Sequence, residues 1–368
     1  AGNKDVHVND TGVTADTLTV NGSGTFTVTA TSIASGTDTV DNFMDIETKT
    51  INGTGTDTLA GPASSTYTLS ASKAGSVSGI DFTSIENITG GSGTLESPAS
   101  GASYVLSGNK AGTVLDISFT NIDTLTGSVD TDTLVSPSSA TTFDLSADKA
   151  GTVLGISFSA VDTITGGAGA DIINAPASGT TFNVTGSASG NLLGISFSSI
   201  ENLNGGAGSD TVTGPAAGTT YTRSANNAGS FSGIAFTNIE NVSGGAGDDV
   251  FNLTSGAVYG IIGGGGGTSD TINSSNAATT FTITGANAGT LEEGAALRLN
   301  FTGMENLVGG SASDQFIFND GVTTGVSNIT GSDGTDLLDY SGWTAANSVT
   351  ASLSGGPATG VSTNVTGI

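Results

Sequence analysis

The side chains of this sequence that are best placed to do chemistry are aspartates, each of which ends a glycine-rich turn. The segment "GGAGAD" ends at Asp171, "GGAGSD" at Asp210 and "GGAGDD" at Asp249. Carboxylates that stack closely repel one another, and a bound cation or a raised pKa must relieve that repulsion. Glycines ahead of the aspartate let backbone carbonyls approach an ion, and Ca²⁺ prefers carboxylate and carbonyl oxygens. The turns therefore predict Ca²⁺ as a bound cofactor.

The same turn position recurs along the chain, and denser acidic clusters accompany it. The aligned aspartates are Asp57, Asp132, Asp171, Asp210, Asp249, Asp270 and Asp314. The densest clusters are Asp248 with Asp249, and Asp333 with Asp336 and Asp339. The predicted metal ligands, all of them aspartates in or beside such turns, are Asp171, Asp210, Asp248, Asp249, Asp314, Asp333, Asp336 and Asp339. No catalytic residue is predicted.

A second series of acidic residues follows an apolar anchor: Glu86, Asp123, Asp162, Glu201, Glu240 and Glu305. We expect these side chains to point outward from a strand. An amide ladder is expected beside them, formed by Asn87, Asn202, Asn241 and Asn306. Lys73, Lys110 and Lys149 lie in the segments between the aspartate turns and could replace calcium as counter-charges.

The composition excludes several classes of partner. The 368 residues include 33 acidic and 7 basic side chains, a net charge of -26. Phosphate binding needs clustered Lys and Arg, so nucleic acid and anionic membrane surfaces are excluded. The absence of cysteine excludes disulfides and thiolate metal sites. No run approaches the roughly 20 apolar residues that a membrane-spanning helix needs.

Two aromatic series recur with the same 39-residue period. The first aromatic series consists of phenylalanines that precede the acidic residues just described, as Phe82 precedes Glu86. Its members are Phe43, Phe82, Phe119, Phe158, Phe197, Phe236 and Phe301. The other lies between them: Tyr67, Tyr104, Phe143, Phe182, Tyr221 and Phe281. The last step of the first series, from Phe236 to Phe301, contains an insertion. Gly, Asn and Asp alternate with Val, Ile, Leu and Phe throughout, which is typical of short strands joined by tight turns.

These patterns predict an all-β fold, a parallel β-solenoid of the β-helix or β-roll type, built from 39-residue repeats. Stacked units bury side chains that a single unit cannot bury. Two coils per repeat, each of half its length, are the preferred arrangement, and one wide coil is the alternative. We expect degenerate coils in 1–42, regular repeats in 43–249, an irregular Gly-rich insertion in 250–300, and further coils in 301–368. A solenoid end needs a cap, so we expect the natural chain to continue past Ile368.

The turns "GGAGADII", "GGAGSDTV" and "GGAGDDVF" resemble the Gly-Gly-x-Gly-x-Asp-x-apolar-x nonapeptide of repeats-in-toxin proteins. The wider pattern, as in "FSSIENLNGGAGSD", is similar to β-strand repeats of giant bacterial surface adhesins. The resemblance implies a parallel β-roll with Ca²⁺ in the turns, each ion held by two neighbouring turns. In this chain each 39-residue repeat contains one nonapeptide, which departs from that family's unbroken series.

The sequence thus predicts a secreted or bacterial surface protein that is not an enzyme: a filament subunit, stalk or adhesin spacer. It would self-associate end to end through unpaired terminal strands, or form part of a longer chain, and surface glycans are a further candidate partner. One alternative is a polysaccharide-active β-helix enzyme, since paired carboxylates can act as acid and base. Another is a calcium-dependent surface-layer or ice-binding adhesin, suggested by Thr-x-Thr in "TFTVTATS".

Overall fold

All regular structure in the described residues is β-strand. The computed structural model describes residues 5–9, 17–29, 32–35, 38–41, 46–351 and 355–368. Phe43, the first member of its aromatic series, lies outside these residues. Among the described residues there is no helix long and apolar enough to cross a membrane. The predicted all-β fold is confirmed.

The strands are short. In chain order, the first fifteen are β1 (Asp5–Asn9), β2 (Thr17–Gly22), β3 (Thr25–Val28), β4 (Ser32–Ser35), β5 (Asp38–Asp41), β6 (Thr48–Gly53), β7 (Thr58–Ala60), β8 (Thr66–Ala71), β9 (Ala74–Val77), β10 (Ile80–Thr83), β11 (Asn87–Glu96), β12 (Ser103–Gly108), β13 (Ala111–Val114), β14 (Ile117–Thr126) and β15 (Thr133–Val135). The next fourteen are β16 (Thr142–Ala147), β17 (Ala150–Val153), β18 (Ile156–Ser159), β19 (Thr163–Thr165), β20 (Ile172–Asn174), β21 (Thr181–Gly186), β22 (Ser189–Leu192), β23 (Ile195–Ser198), β24 (Asn202–Asn204), β25 (Thr211–Thr213), β26 (Thr220–Ala225), β27 (Ala228–Phe231), β28 (Ile234–Thr237) and β29 (Asn241–Ser243). The last twelve are β30 (Val250–Leu253), β31 (Ile261–Gly263), β32 (Thr271–Asn273), β33 (Thr279–Gly285), β34 (Ala288–Glu293), β35 (Ala296–Thr302), β36 (Asn306–Val308), β37 (Gln315–Phe318), β38 (Thr324–Thr330), β39 (Leu337–Asp339), β40 (Gly356–Ala358) and β41 (Gly360–Thr366).

The chain divides into two compact units. The first takes the described residues up to Ile172 together with Leu193–Ser199, and the second takes Ile173–Leu192 and Ile200–Ile368. In both units the strands alternate between buried apolar and exposed polar positions, as period-2 strands with one face on a core do. In β12, for example, Tyr104 and Leu106 are buried whereas Ser103 and Val105 are exposed.

In the first unit the strands form two mainly parallel ladders, and the chain passes between the ladders except at the hairpin turns of antiparallel strands. The first ladder aligns Val20, Ile51 and Phe82 and then, after the antiparallel strand β9, Tyr67, Leu95, Leu125 and Phe158. The second ladder aligns Phe26, Leu59, Ile88 and Phe119 and then, after β13, Tyr104, Leu134, Ile164 and Phe197. All of these core side chains are buried.

One sequence repeat makes three passages between the ladders. It opens with an antiparallel meander of three strands, which begins at Tyr104 in the second ladder. The chain then passes to Leu125 in the first ladder, to Leu134 in the second, and to Phe143 in the first, where the next meander begins. Because two passages complete a coil, one 39-residue repeat forms one and a half coils. The sequence predicted two coils or one wide coil, and the register differs from both.

The meander explains why a glycine faces each anchor phenylalanine. Gly112 lies opposite Phe119 in the antiparallel register, and Gly151 lies opposite Phe158. A Cβ on Gly112 would lie 2.7 Å from Cζ of Phe119. Because the ring covers the neighbouring backbone at this distance, only glycine fits at that position. The recurring "AG" before each meander's second turn is therefore a packing requirement.

The second unit contains coils that lack a meander. Phe251 pairs with Ile272 in the next coil, and Val242 pairs with Ile262. The segment 250–300 thus adds one plain coil and then a longer meander, β33–β34–β35, with an enlarged β34–β35 hairpin. Phe281 and Phe301 are therefore 20 positions apart, instead of 15 as in Phe143 and Phe158. The stretch "LEEGAALRL", the one place where the sequence allowed a helical turn, lies in this hairpin.

Plain coils also follow residue 305. Leu307 pairs with Ile329, and Phe316 pairs with Leu338. The backbone of this part is therefore a simple two-strand roll, and the nonapeptide turns are closer together there than in the regular repeats.

Candidate functional site: the stacked acidic turns

Three kinds of turn carry the chain from one ladder to the other. The proline turn (for example residues 97–102) leads into a meander, the glycine turn (for example 127–132) contains the aspartate of the nonapeptide pattern, and the anchor turn (for example 160–162) leaves a meander. These turns follow strands β11, β14 and β18, which are neighbours in the first ladder. The turns therefore stack in the order proline, glycine, anchor, with a sequence separation of 30 between bonded residues of neighbouring turns.

The aspartate of the glycine turn is buried and joins all three turns. In Asp132, Oδ1 accepts the backbone N–H of Ala102 at 2.8 Å and Oδ2 accepts that of Ser128 at 2.6 Å. The backbone N–H of Asp132 in turn donates to Oδ2 of Asp162 at 3.0 Å. Asp132 is 0% exposed. Its carboxylate thus satisfies N–H groups that the turns would otherwise leave unpaired in the core.

Both carboxylate oxygens accept backbone N–H groups at two further glycine turns as well. Asp171 accepts N–H bonds from Thr141 and Gly167, and Asp249 accepts them from Thr219 and Gly245. The aspartates that are buried at this position are Asp57, Asp132, Asp171, Asp210, Asp249, Asp270, Asp314 and Asp336. The repeated aspartate is therefore a hydrogen-bonding residue that holds successive turns together.

The acidic residue of the anchor turn binds the backbone of that aspartate. Oε2 of Glu240 accepts the N–H of Asp210 at 2.9 Å, and Oε2 of Glu86 accepts the N–H of Asp57 at the same distance. The following asparagine completes the contact, because Nδ2 of Asn241 donates to the carbonyl oxygen of Asp210 at 3.2 Å. Asn87 and Asn306 make the equivalent bond. The predicted outward carboxylates and their separate amide ladder are thus wrong for these residues, since Glu and Asn together bind one peptide unit of the neighbouring turn.

The other carboxylate oxygen of the acidic residue in the anchor turn contacts a residue in the first hairpin of the meander. Lys73 forms an ion pair with Glu86, Lys110 with Asp123 and Lys149 with Asp162. The expectation that lysines act as counter-charges is confirmed for these three pairs. In the second unit Ala188 occupies the equivalent position of the first meander, and asparagines occupy it in the next two. Nδ2 of Asn227 and Asn287 donate to Oε1 of Glu240 and Glu305.

A glycine in each turn makes room for the buried carboxylate. A Cβ on Gly127 would lie 1.9 Å from the carbonyl oxygen of Ala160 and 2.9 Å from Oδ2 of Asp132. A Cβ on Gly166 would be 1.7 Å from the Ser199 carbonyl oxygen and 2.8 Å from Oδ2 of Asp171. The Gly and Asp of the nonapeptide pattern are thus both required by stacking, before any ion is considered.

The counter-charges set the direction of the pKa shifts. The hydrogen bond from Lys149 holds the pKa of Asp162 below its usual value, with help from the Asp132 N–H. In the second unit burial dominates, and it raises the pKa of Asp210, of Asp249 and of Asp270. Burial also raises the pKa of Glu305, whose partner is an asparagine.

The aspartates of consecutive regular repeats do not stack directly on one another. Asp132 leaves the first ladder after Leu125, whereas Asp171 leaves the second ladder after Ile164. A proline turn and an anchor turn lie on either side of each glycine turn, so the single aspartate column expected from the repeat is not formed. The repulsion that motivated a cation at every turn is therefore smaller than the sequence suggested.

Of the remaining predicted metal ligands, Asp248, Asp333 and Asp339 lie at the periphery of such turns, whereas Asp314 and Asp336 are buried within them. Oδ1 of Asp248 accepts the N–H groups of Thr268 and Ser269. Asp339 accepts a bond from Ser341 and another from Gln315, while Asp333 is exposed. Oδ1 of Asp314 accepts the N–H of Thr279, and Oδ1 of Asp336 accepts the N–H of Asp314.

The groups that surround each carboxylate determine how well calcium would bind there. At Asp171 both carboxylate oxygens face backbone N–H groups, whose positive ends disfavour a cation. Two places differ, because glycine turns stack directly there: 244–249 on 264–270, and 309–314 on 331–336. Oδ2 of Asp270 and Oδ2 of Asp336 are buried without a hydrogen-bond partner, as is Oδ2 of Asp210 in a regular repeat, so direct stacking of the turns is what distinguishes these two places.

The first of these places has further oxygens nearby. The Cβ position of Gly267 lies 2.7 Å from Oδ1 of Asp270 and from the Gly247 carbonyl, and 2.9 Å from Oδ1 of Asp248. In the part of the chain that the structure describes, no three His, Cys, Asp or Glu side chains come together closely enough to hold a metal. Carbonyl oxygens would therefore have to complete a site, and calcium binding stays a prediction.

One cluster was not found from the sequence. Arg223 occupies a buried position in β26, with its guanidinium carbon 4.0 Å from the ring centroid of Tyr259. Arg298 donates to the carbonyl oxygen of Gly256 in the same loop. The signal available in the sequence was Arg223 itself, because the equivalent positions of other repeats are aliphatic.

Comparison with known proteins does not assign this chain to a family. No protein-family model, curated protein or solved structure matches this chain.

Proposed function

We propose that this chain is a structural segment of an extracellular protein on a bacterial surface, serving as a filament subunit, stalk or adhesin spacer. The observation that carries the proposal is the buried aspartate that joins three successive turns, as Asp132 joins residues 97–102, 127–132 and 160–162. The acidic groups are used to stack coils, and each added repeat extends the ladders. Repetition of this kind produces length.

End-to-end association is part of the same proposal. Leu337 of β39 is 52% exposed, and a groove of about 490 Å³ lies beside that strand. Leu338, Tyr340, Val365 and Ile368 line it. An apolar groove next to a strand edge accepts a further strand by main-chain pairing, and a second copy of this chain is the partner that we propose.

Electron microscopy of the purified chain tests the structural role. Elongated particles that join into filaments at high protein concentration are the expected result. Release of unsaturated or reducing sugars from acidic polysaccharides, with no filaments at any concentration, would instead support the polysaccharide-active alternative.

Calcium stabilisation is a second part of the proposal, restricted to the two places where glycine turns stack directly. When bound, the ion would supply positive charge between stacked carboxylates. Asp248 and Asp270 with the Gly247 carbonyl would hold it at the first place. Thermal melts by circular dichroism, in millimolar Ca²⁺ and in excess chelator, measure the effect. Asp270→Asn should reduce the difference between the two melts, and Asp270→Asn combined with Asp336→Asn should abolish it. Asp171→Asn should lower both melts while preserving the difference.

A further inference from the structure

Strand β39 forms an open edge of the second unit. It pairs with β37 on one side, where Leu338 lies opposite Phe316, and no described strand pairs with its other side. Phe316 is fully buried, whereas Leu338 is only half-buried and its neighbour Leu337 is exposed. Leu338 covers Phe316 but has no residue of a following coil to cover it in turn.

The vacancy is confined to this stack of strands. In the neighbouring stack, β36, β38 and β41 pair in parallel, and β40 covers β41 in the antiparallel direction. Pro357 lies in the middle of β40 and has no N–H to donate to a further strand. The groove of about 490 Å³ beside β39 has Val349, Val365 and Ile368 in its lining. The strand that fits this place therefore pairs with β39 and carries an apolar side chain.

The backbone of Asp336 adds a second requirement. The N–H of a buried turn aspartate donates to a carboxylate of the next turn, as Asp249 does to Asp270 and Asp314 to Asp336, both at 2.7 Å. Asp336 is the last of these aspartates, and its own N–H has no acceptor among the described residues. A polar backbone group in the interior needs a partner, so the added strand should follow a carboxylate residue.

The existing coils give the register of that strand. Where Asp270 accepts the Asp249 N–H, Ile272 lies opposite Phe251, and each of these core residues is two positions after its aspartate. The same rule on β39 places an apolar residue opposite Leu338 and a carboxylate residue two positions before it. The required pattern is thus carboxylate, any residue, apolar residue, in an extended strand.

The chain itself contains an open-edge strand with this pattern. Strands β1 and β5 each pair with one strand among those described, β1 with β2 and β5 with β4. In β5 the sequence is DTVD, and Val40 comes two positions after Asp38. In β1 the residue two positions after Asp5 is His7. Of the two strands, only β5 meets both requirements.

We infer that β5 of one copy of this chain adds to β39 of another copy as a parallel strand, with Thr39 opposite Leu337 and Val40 opposite Leu338. The inference rests on the proposed end-to-end association and assigns its strands and register. Main-chain bonds along an added strand give affinity, and the pocket for its alternate side chain gives specificity. Because β5 and β39 are different edges, the contact is heterologous and repeats from copy to copy.

The register also brings like charges together. Asp41 lies opposite Asp339, and Asp38 takes its place in the stack beside Asp336. Like charges directly opposite on neighbouring strands are destabilising, and salt screens them. The net charge of -26 on each copy acts in the same direction. Association therefore strengthens as the ionic strength rises.

Disulfide trapping tests the register, because the chain has no cysteine of its own. Full-length Leu337→Cys and Thr39→Cys chains are mixed at high salt and oxidised, and mixed dimers are identified by mass spectrometry. Paired strands lie about 4.8 Å apart, within the Cα separation of about 4.4–6.8 Å that a disulfide spans. The mixed dimer should form about tenfold faster than one between Leu337→Cys and His7→Cys chains, because pairing raises the local concentration of the thiols.

A charge variant gives a second, independent readout. Asp41→Asn, added to the Thr39→Cys chain, should raise the yield of the mixed dimer at low salt. The matched control is Asp81→Asn in the same chain, at an exposed position of β10, which should leave the yield unchanged. Circular dichroism melts verify that each variant is folded.

The outcomes separate this inference from the proposed function. Filaments that form without the mixed disulfide, or with links mainly between two Leu337→Cys chains, would overturn the strand assignment and leave end-to-end association standing. Equal trapping by Thr39→Cys and His7→Cys would do the same. Copies that stay separate at every salt and protein concentration would overturn both.

Discussion

The backbone N–H of Asp132 donates a hydrogen bond of 3.0 Å to Oδ2 of Asp162, thirty residues later in the chain. The two carboxylates belong to adjacent turns, yet one is saturated by N–H groups and the other pairs with Lys149. Peptide dipoles and a lysine thus replace the repulsion that two neighbouring acids would otherwise cause. Each member of this stack can be tested by substitution.

Removal of the buried carboxylate should destabilise the fold. Asp132→Asn places an NH₂ group where an oxygen now accepts a backbone N–H, so that at least one buried donor loses its partner. We expect the free energy of unfolding to fall by about 1–3 kcal/mol, measured by urea denaturation at pH 7. The matched control is Asp81→Asn, an exposed position in β10, for which a change within about 0.5 kcal/mol is expected. Similar losses for both variants would contradict the role of Asp132.

The glycine beside that carboxylate should be equally sensitive. Gly127→Ala would place a Cβ 1.9 Å from the Ala160 carbonyl oxygen, and the backbone must move to admit it. Overpacking of this kind costs about 1–3 kcal/mol. Gly108→Ala is the control, because its Cβ would meet nothing within 4 Å. Calorimetric melts should show a lower midpoint for the first variant alone, and a tolerated Gly127→Ala would show that the turn is not constrained.

The lysine of the stack should be replaceable by asparagine. Lys149 has φ of 51°, and Asn227, with φ of 50°, occupies the same position in the second unit and donates to Glu240. Asparagine tolerates this left-handed conformation better than lysine, and its amide can donate to Asp162. We therefore expect Lys149→Asn to melt close to the wild type and Lys149→Ala to melt lower. Identical melting of the two variants would show that the donor is dispensable.

The turns that contain Asp162 and Asp249 should respond to acid in opposite directions. The pKa of Asp162 is lowered, so its contribution to stability is present above the pKa of the unfolded chain and is lost as pH falls through the folded value. The pKa of Asp249 is raised, so its contribution is largest below the unfolded value and is lost as pH rises through the folded value.

Hydrogen exchange measures this difference. As the pH is lowered from neutral to about 2.5, below the ordinary Asp pKa of about 3.9, protection corrected for the intrinsic exchange rate should fall around β18–β19. Protection around β29–β30 should be retained or should rise. A parallel loss in both places would contradict the dominance of the Lys149 counter-charge at Asp162 and of burial at Asp249.

The sequence was sufficient for the fold class and for most of the core. The 39-residue spacing of Phe119, Phe158 and Phe197 predicted a stacked β fold, and all three side chains are buried. The number of coils was not accessible in the same way. The 39-residue period gives the length of a repeat but not the number of times that the chain passes between the ladders. The meander strands β16, β17 and β18 have the same composition as strands that lead from one ladder to the other.

The role of the aspartates was ambiguous for a chemical reason. Carboxylates accept bonds from N–H groups and coordinate calcium with the same oxygens. The group that saturates Asp171 is the N–H of Thr141, thirty residues earlier, a separation that the 39-residue repeat does not reveal. The cluster at Arg223 depends on the loop that carries Tyr259, and that loop lies outside the periodic pattern.

The three passages per repeat have a consequence for how such a chain can change length. An odd number means that each repeat sets its meander on the opposite ladder from the one before, as the meanders beginning at Tyr104 and Phe143 do. Loss or duplication of a single repeat would exchange the two faces for every residue downstream, whereas an even number of repeats would preserve them. The plain coil between Phe251 and Ile272 makes two passages, so its insertion leaves the faces of later repeats unchanged. Recombination or engineering of this chain must therefore conserve whether the number of passages between the ladders is odd or even, and not only the number of residues.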